Sequence, residues 1–195
     1  MIKIENKLFF LLAFLMAFVV ALSNYLVQFP IKYFSLENLL TYGAFSYPVA
    51  FLITDLSNRR YGKNIAKKIV YLGFTLGIVL TLYFSTNYSD LISIRIAIGS
   101  GTAFLVAQLI DVHIFDRLRK KIWFIAPLAS SLIGSCIDTF LFFSISFYGT
   151  GVNWVTLSFG DLSIKIFVAL AMLIPFRLLL YRIQEISGSN KKINV

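Results

Sequence analysis

The sequence predicts an all-α, polytopic membrane protein with six transmembrane helices and both termini in the cytoplasm. Three observations lead there. Of 195 residues, 58% are hydrophobic and only 14% are charged, with a mean hydropathy of +0.82, whereas soluble chains carry about 25% charged residues and could not keep so apolar a surface wet. The uncharged stretches are long enough to cross lipid as helices, about 20 residues each, rather than as the alternating strands of a barrel. The cations collect in alternate connections between those stretches. Disorder, a secreted disulfide scaffold and a soluble enzyme are excluded.

The first span runs from Leu8 to Phe29 behind the basic residues Lys3 and Lys7. A basic start before an apolar run also describes a signal peptide, but this run is about 20 residues long and five more follow it, so it reads as a membrane helix. In its outer half Asn24 and Gln28 share a face at one-turn spacing, with Ser23 beside them. They offer donors and acceptors either to a ligand or to a neighbouring helix.

The second span covers Asn38 to Thr54 and carries Tyr47-Pro48 in its middle. A proline there frees the carbonyl one turn back and bends the helix, and broken helices at mid-membrane mark binding sites in transporters. Tyr42 and Tyr47 are placed to stack on a flat ring, and Asp55 closes the cytoplasmic end of the span behind Thr54. The third span, Ile69 to Ser89, and the fourth, Ile96 to Ile110, carry the small-residue pairs Gly73/Gly77 and Gly99/Ala103, a signal for close helix packing. Asp111 closes the fourth span, with Gln108 three positions before it. An acid at a helix end is solvated, paired with a cation such as Arg59 or Arg117, or functional.

The fifth span, Ile122 to Tyr148, is interrupted only by Asp138. Ser131, Gly134 and Ser135 precede that acid by seven, four and three positions, which makes one polar, small-residue stripe on the helix. An ionisable group at mid-membrane is costly and is the default place to look for function; the alternative is a packing face in which the acid pairs with a polar neighbour. Cys136, the one cysteine, packs as a small hydrophobe, and Pro127 is an early-helix proline. The sixth span runs from about Leu162 to Ile183, with Pro175 as a second candidate break. Lys165 and Arg177 leave eleven uncharged residues between them. Twelve helical steps cover roughly 18 Å, so both heads can snorkel toward opposite interfaces.

Charge placement sets the orientation. Lys3 and Lys7, the group Arg59, Arg60, Lys63, Lys67 and Lys68, the group Arg117, Arg119, Lys120 and Lys121, and Arg177, Arg182, Lys191 and Lys192 place 15 of 18 cations on one side, against Lys32, Arg95 and Lys165 on the other. The positive-inside rule then puts both termini and the loops around 56–68 and 113–121 in the cytoplasm, which requires an even number of spans. The excess of 18 Lys and Arg over 9 Asp and Glu therefore reports topology rather than a nucleic-acid partner.

Enzyme readings fail on geometry. Ser100 and His113 resemble the pair of a serine intramembrane protease, yet thirteen positions along one helix separate them by roughly 20 Å, far beyond hydrogen-bond reach. An aspartyl protease needs two acids at one depth, and Asp138 lies at mid-membrane while Asp55 and Asp111 lie at the inner edge. One histidine and one cysteine give no metal site, and no cofactor-binding motif is present. Polar groups spread over four helices, with a proline-broken second span, favour a transporter over a membrane scaffold or a substrate-binding subunit that depends on a partner for energy.

The motifs themselves are similar to those of the queuosine precursor transporter family, a branch of the vitamin uptake transporters. The runs Ser23-Asn24-Tyr25-Leu26-Val27-Gln28, Gly43-Ala44-Phe45-Ser46-Tyr47-Pro48, Thr54-Asp55-Leu56 and Tyr61-Gly62 carry the first half of the resemblance. Arg95-Ile96-Ala97, Gln108-Leu109-Ile110-Asp111-Val112-His113, Arg117-Leu118-Arg119, Ala126-Pro127 and Asp138-Thr139 carry the second. The resemblance spans about residues 8–183 of a single transporter domain, 1–195.

It implies a bacterial inner-membrane importer of a queuosine precursor, the cyano or the aminomethyl 7-deazaguanine, for salvage into modified tRNA. A deazaguanine presents a ring N–H beside an exocyclic amine, two parallel donors that one carboxylate accepts together, and a flat face that suits an aromatic shelf. Asp138 or Asp111 is expected to take that edge, Asn24, Gln28 and Gln108 to read the remaining polar atoms, and Tyr47 to stack, with Asp55 nearby. The implied partners are this small molecule and the bilayer, with a homo-oligomer or an energising partner as the assemblies to test. The alternative is the membrane subunit of an energy-coupling-factor importer, which works only with an ATPase.

Overall fold

The structure is a computed structural model and describes residues 6–33, 40–84 and 86–192. Lys3, residues 38–39 at the expected start of the second span, and the side chains of Arg182, Lys191 and Lys192 lie outside the described residues.

The described residues form an all-helical fold: α1 Asn6–Leu26, α2 Gly43–Ser46, α3 Pro48–Tyr61, α4 Lys63–Phe84, α5 Leu91–Leu118, α6 Ile125–Phe147 and α7 Trp154–Lys192. Five of these helices, α1, α4, α5, α6 and α7, are long and apolar enough to cross a membrane. Their outer faces carry exposed large hydrophobics such as Phe10, Phe14 and Phe18, one turn apart along α1, and Phe167, Ile174 and Leu178 on α7. Such a surface would be untenable in water and suits hydrocarbon.

The second predicted span is the exception, and Pro48 is the reason. Proline has no N–H to continue a helix, so α2 stops at Ser46 and α3 restarts with Pro48 in its first turn. Tyr47, at the junction, keeps helical dihedrals and donates its N–H to the Gly43 carbonyl at 3.2 Å. Ahead of α2 an isolated antiparallel bridge between Pro30 and Thr41 returns the chain from α1. Pro175, by contrast, lies inside a helix that runs through it, so the second expected break does not occur.

Gly62, at φ +83°, separates α3 from α4, a left-handed conformation that a side chain would resist. Asp90 caps α5 by accepting the Ile92 N–H at 3.0 Å. Arg95 donates to the Ile145 carbonyl at 2.9 Å and the Tyr148 carbonyl at 2.8 Å, which satisfies orphan acceptors at the carboxyl end of α6. At the opposite end of the bundle Arg59 donates to the Arg119 carbonyl at 2.5 Å and Arg119 to the Arg59 carbonyl at 3.2 Å. The α3–α4 turn and the α5–α6 connection therefore meet, as two loops on the same side must.

The small-residue pairs do what their spacing predicts. A Cβ at Gly73 would fall 2.4 Å from Met16 Cγ, and one at Gly77 would fall 2.8 Å from Val20 Cβ, so these glycines set the approach of α1 to α4. Gly99 admits Ser146 of α6 in the same way. The apolar centre is built around Met16, Val20, Phe51, Val70, Phe104 and Val112, with α3 surrounded by the long helices.

Candidate functional site

Buried polar groups gather at two levels of the bundle, and neither is evident from one helix alone. The first lies where α6 faces α7. Lys165 Nζ sits 2.9 Å from Asp138 Oδ2, 2.6 Å from Asp161 Oδ2 and 3.1 Å from Thr139 Oγ1, while Thr139 donates to Asp161 at 2.9 Å. Lys165 is 4% exposed, so it does not snorkel to an interface as its position near the end of the apolar run predicts. Two carboxylates at bonding distance hold the ammonium inside instead.

The same ammonium lies 5.0 Å above the ring of Tyr47. Tyr47 lines one cavity with Ser100 and Asp138, and its ring meets the edge of Phe104. The interruption at Pro48 thus leaves Tyr47 facing the ion cluster. From α1, Asn24 donates to Thr81 Oγ1 at 2.9 Å and accepts a hydrogen bond from Ser100. Asn24, Tyr47, Ser100, Asp138, Asp161 and Lys165 line one cavity of about 20 Å³. They come from α1, the α2–α3 junction, α5, α6 and α7.

Charge counting at this level leaves one negative charge: two aspartates against one lysine. Asp138 Oδ2 is committed to Lys165, whereas Asp138 Oδ1 is buried and has no hydrogen-bond partner. A buried carboxylate oxygen without a donor is expensive, so a ligand that brings an N–H donor to it gains what the folded chain forgoes.

The second level lies deeper along the same helices, about 10 Å from Asp138 measured by the seven residues of α6 back to Ser131. Asp55 accepts from Ser130 at 3.2 Å and from Ser131 at 3.4 Å. Asp111 lies across from Asp55, between the hydrogen bonds that join α3 to α5, yet neither of its oxygens has a hydrogen-bond donor. Thr54 donates to Gln108 Oε1 at 2.5 Å, Asn58 donates to the Val112 carbonyl at 2.9 Å, and Gln108 Nε2 and Asn58 Oδ1 have no partner. Asp55 and Asp111 are 2% and 0% exposed, so neither is the solvated or Arg-paired helix-end acid that its sequence neighbours allow. The physical reason is helix length: α3 continues six residues beyond Asp55 and α5 seven beyond Asp111, which draws both acids inside.

The seven expected site residues therefore divide. Asp138, Asn24 and Tyr47 meet at the first level; Asp55, Asp111 and Gln108 meet at the second. Gln28 lies beyond the end of α1, where its amide donates to the Asn24 carbonyl at 3.2 Å, outside the cavity lining. Sequence reasoning missed Lys165, Asp161, Ser100 and Thr81 as members. The signal that was available is the i, i+4 pair Asp161/Lys165 inside an apolar run, an ion pair by spacing. Ser100 bonds to Asn24, while His113 is exposed and engages its own Leu109 carbonyl at 2.7 Å, so they form no catalytic pair.

Asp55 and Asp111, both placed at the inner edge by the sequence, do meet at one depth. The adjoining cavity, lined by Asp55, Ser131, Ser135, Phe51 and Pro48 among others, is only about 10 Å³ and has no room for a peptide.

Residues 41–180 match the family described as "Putative vitamin uptake transporter". The chain is 34% identical over 195 aligned positions to a protein of Haemophilus influenzae named probable queuosine precursor transporter, covering 84% of this chain and 82% of that protein. It is 31% identical to the queuosine precursor transporter of Escherichia coli, covering 87% and 84% respectively. A probable queuosine precursor transporter of Bacillus subtilis is 29% identical over 56% of this chain and 57% of its own length. No solved structure matches the chain.

Proposed function

Because the chain belongs to the queuosine precursor transporter family, within the vitamin uptake transporters, we propose that it imports a 7-deazaguanine precursor of queuosine across a bacterial inner membrane for salvage into tRNA. It is a multi-pass membrane transporter and not an enzyme. In this reading the whole chain, 1–195, is one transport domain with six spans, the second being α2 and α3 in series. Both termini and the Arg59/Arg119 end of the bundle face the cytoplasm, which the placement of 15 of 18 cations supports.

The observation that carries the site assignment is the unpartnered, buried Asp138 Oδ1 in a cavity shared with Asn24, Tyr47 and Ser100. A deazaguanine brings a ring N–H and an exocyclic amine in parallel; one supplies the donor that Oδ1 lacks, and the other reaches Oδ2 beside Lys165. Asn24 and Ser100 present an amide and a hydroxyl to the other polar atoms, and Tyr47 offers its ring once the ammonium above it yields. For an aminomethyl precursor the net negative charge of Asp138, Asp161 and Lys165 favours the substrate's cation; for the cyano compound it is neutral ground. At 20 Å³ the cavity holds about one water molecule, so a bicyclic base enters only as the helices lining it separate.

The test is queuosine in tRNA from a host unable to make its precursors, supplied with nanomolar cyano or aminomethyl deazaguanine, with and without this gene. Restored modification is expected. No restoration with the protein demonstrably in the membrane would overturn the reading, and restoration only on co-expression of an ATPase module would make the chain a subunit rather than a transporter in its own right.

A further inference from the structure

The second polar level lies outside the cavity that Asn24, Tyr47 and Asp138 share, and its composition has a different logic. Asp55 and Asp111 are both buried and face each other from α3 and α5, between the Thr54–Gln108 and Asn58–Val112 hydrogen bonds that join the two helices. Among the described residues no cation forms an ion pair with either. The neighbouring charged groups are engaged elsewhere. On α3, Arg59 reaches the Arg119 carbonyl. Beyond Asp111, Arg119 pairs with Asp116 at 3.3 Å and His113 is exposed. From α7, Arg177 lies over the Trp123 ring at 4.6 Å, and Lys165 is held at the first level by Asp138 and Asp161. On α4, Lys67 and Lys68 are at least partly exposed.

Two buried carboxylates facing one another with no cation paired to either leave charge that the site does not compensate, and a proton taken up between them relieves it. The serines fit that state, since Ser130 and Ser131 donate to the two oxygens of Asp55 and leave one shared proton to bridge the acids. A second feature points to proton movement. Ser135 Oγ is buried, has no partner and lines the same water-sized cavity as Asp55 and Ser131. Ser131, Ser135 and Asp138 follow one another at four and three residues along α6, so hydroxyls mark one continuous stripe from the first level to the second. Alongside the stripe, Phe51 packs against Gly134, where a Cβ would lie 2.6 Å from its ring.

We propose that Asp55 and Asp111 form a proton-binding site, linked through Ser131 and Ser135 to the Asp138 cluster, that couples substrate import to proton entry. One proton is taken up by the pair, converting two carboxylates to a single shared-proton anion, and is released to the cytoplasm as two carboxylates reform transiently. No bond to substrate is made or broken. The inference rests on the transport reading, and its test separates the two.

The full-length protein is purified into lipid vesicles. Without substrate, infrared spectra at neutral pH should show the carbonyl band of a protonated carboxylic acid, retained in Asp138→Asn and lost in the double variant Asp55→Asn/Asp111→Asn. Its absence from the wild type would overturn the proton site whatever the ligand. With cyano-deazaguanine, a gradient of one pH unit, alkaline inside, should drive up to about a tenfold accumulation for one proton per substrate. Asp111→Asn should keep equilibrium exchange and lose accumulation, bringing the ratio to about one. Ser135→Ala, which removes no existing hydrogen bond, should slow gradient-driven uptake more than exchange. Wild-type exchange that no pH gradient can drive would sink the coupling and leave the transporter standing. No exchange of any deazaguanine would sink the transport reading, with the infrared band alone then deciding the proton site.

Discussion

Asp138 and Lys165, 27 residues apart on adjacent helices, are ion-paired at 2.9 Å with both side chains buried. Such a pair is weak evidence for stability, because desolvation consumes much of the Coulomb gain, but removing one member leaves an uncompensated charge. Here the lysine is shared, since Asp161 holds it at 2.6 Å one helical turn away. The two carboxylates therefore depend on Lys165 far more than Lys165 depends on either of them.

That asymmetry gives the first prediction. Lys165→Met strands Asp138 and Asp161 together in the bundle, which should cost about 3–5 kcal/mol. Adding Asp161→Asn removes one of the stranded charges and should recover part of the loss. Thermal unfolding in detergent, followed by size-exclusion of the fluorescent-tagged protein, reads both; equal stability of the single variant and the wild type would contradict the arrangement.

Asp138→Asn is the milder change, because Lys165 keeps Asp161 and Thr139. Abundance should stay near normal. Uptake should not, since an amide presents half of the former acceptor as a donor to an incoming N–H. Losing a hydrogen bond to a charged group is worth about 1.5–3 kcal/mol, on the order of 10- to 100-fold in transport at limiting substrate. Wild-type uptake at normal membrane abundance would remove Asp138 from the substrate site.

How much of this was legible in the sequence follows from the range of each interaction. Long uncharged runs determine helices locally, so five of the six expected spans and the proline break at Tyr47-Pro48 could be read directly. The loops around Arg59 and Arg119 could be placed together by charge alternation, and they do meet. Pairings between helices could not be read. Nothing along the chain says that Asp55 finds Asp111 and Ser130, or that Asn24 finds Thr81 and Ser100, 57 and 76 residues away. Lys165 misled for the opposite reason: a long side chain in an apolar run can reach either water or a buried acid, and only the position of Asp138 decides.

Gly134 is the position where size decides. A Cβ there would fall 2.6 Å from Phe51 Cε1, and Phe51 is 1% exposed with little space to yield. Gly134→Val should destabilise the bundle by about 1–3 kcal/mol, the usual cost of overpacking. Phe51→Leu in the same chain should restore part of it, because the shorter side chain vacates the contact. A coupling energy of zero between the two substitutions in thermal unfolding would mean that they do not touch.

The last prediction concerns how α1 is held against α4 and α5 at the first level. Asn24 donates to Thr81 and accepts from Ser100, so its amide has one orientation that satisfies both. Thr81 has a second outlet, the Gly77 carbonyl at 2.8 Å, which lets it lose Asn24 at little cost. Ser100 is buried and donates to Asn24. Asn24→Leu should therefore act mainly through Ser100, and Asn24→Leu combined with Ser100→Ala should destabilise by less than the sum of the two, with a coupling of about 0.5–3 kcal/mol. Asn24→Asp tests the orientation directly: it keeps the acceptor toward Ser100 and turns the donor toward Thr81 into an acceptor, to which the Thr81 hydroxyl can rotate. If Asn24 only ties helices, the aspartate variant should transport nearly as well as the wild type. If it also reads the substrate, uptake should fall with stability preserved, and the two measurements on one variant distinguish the roles.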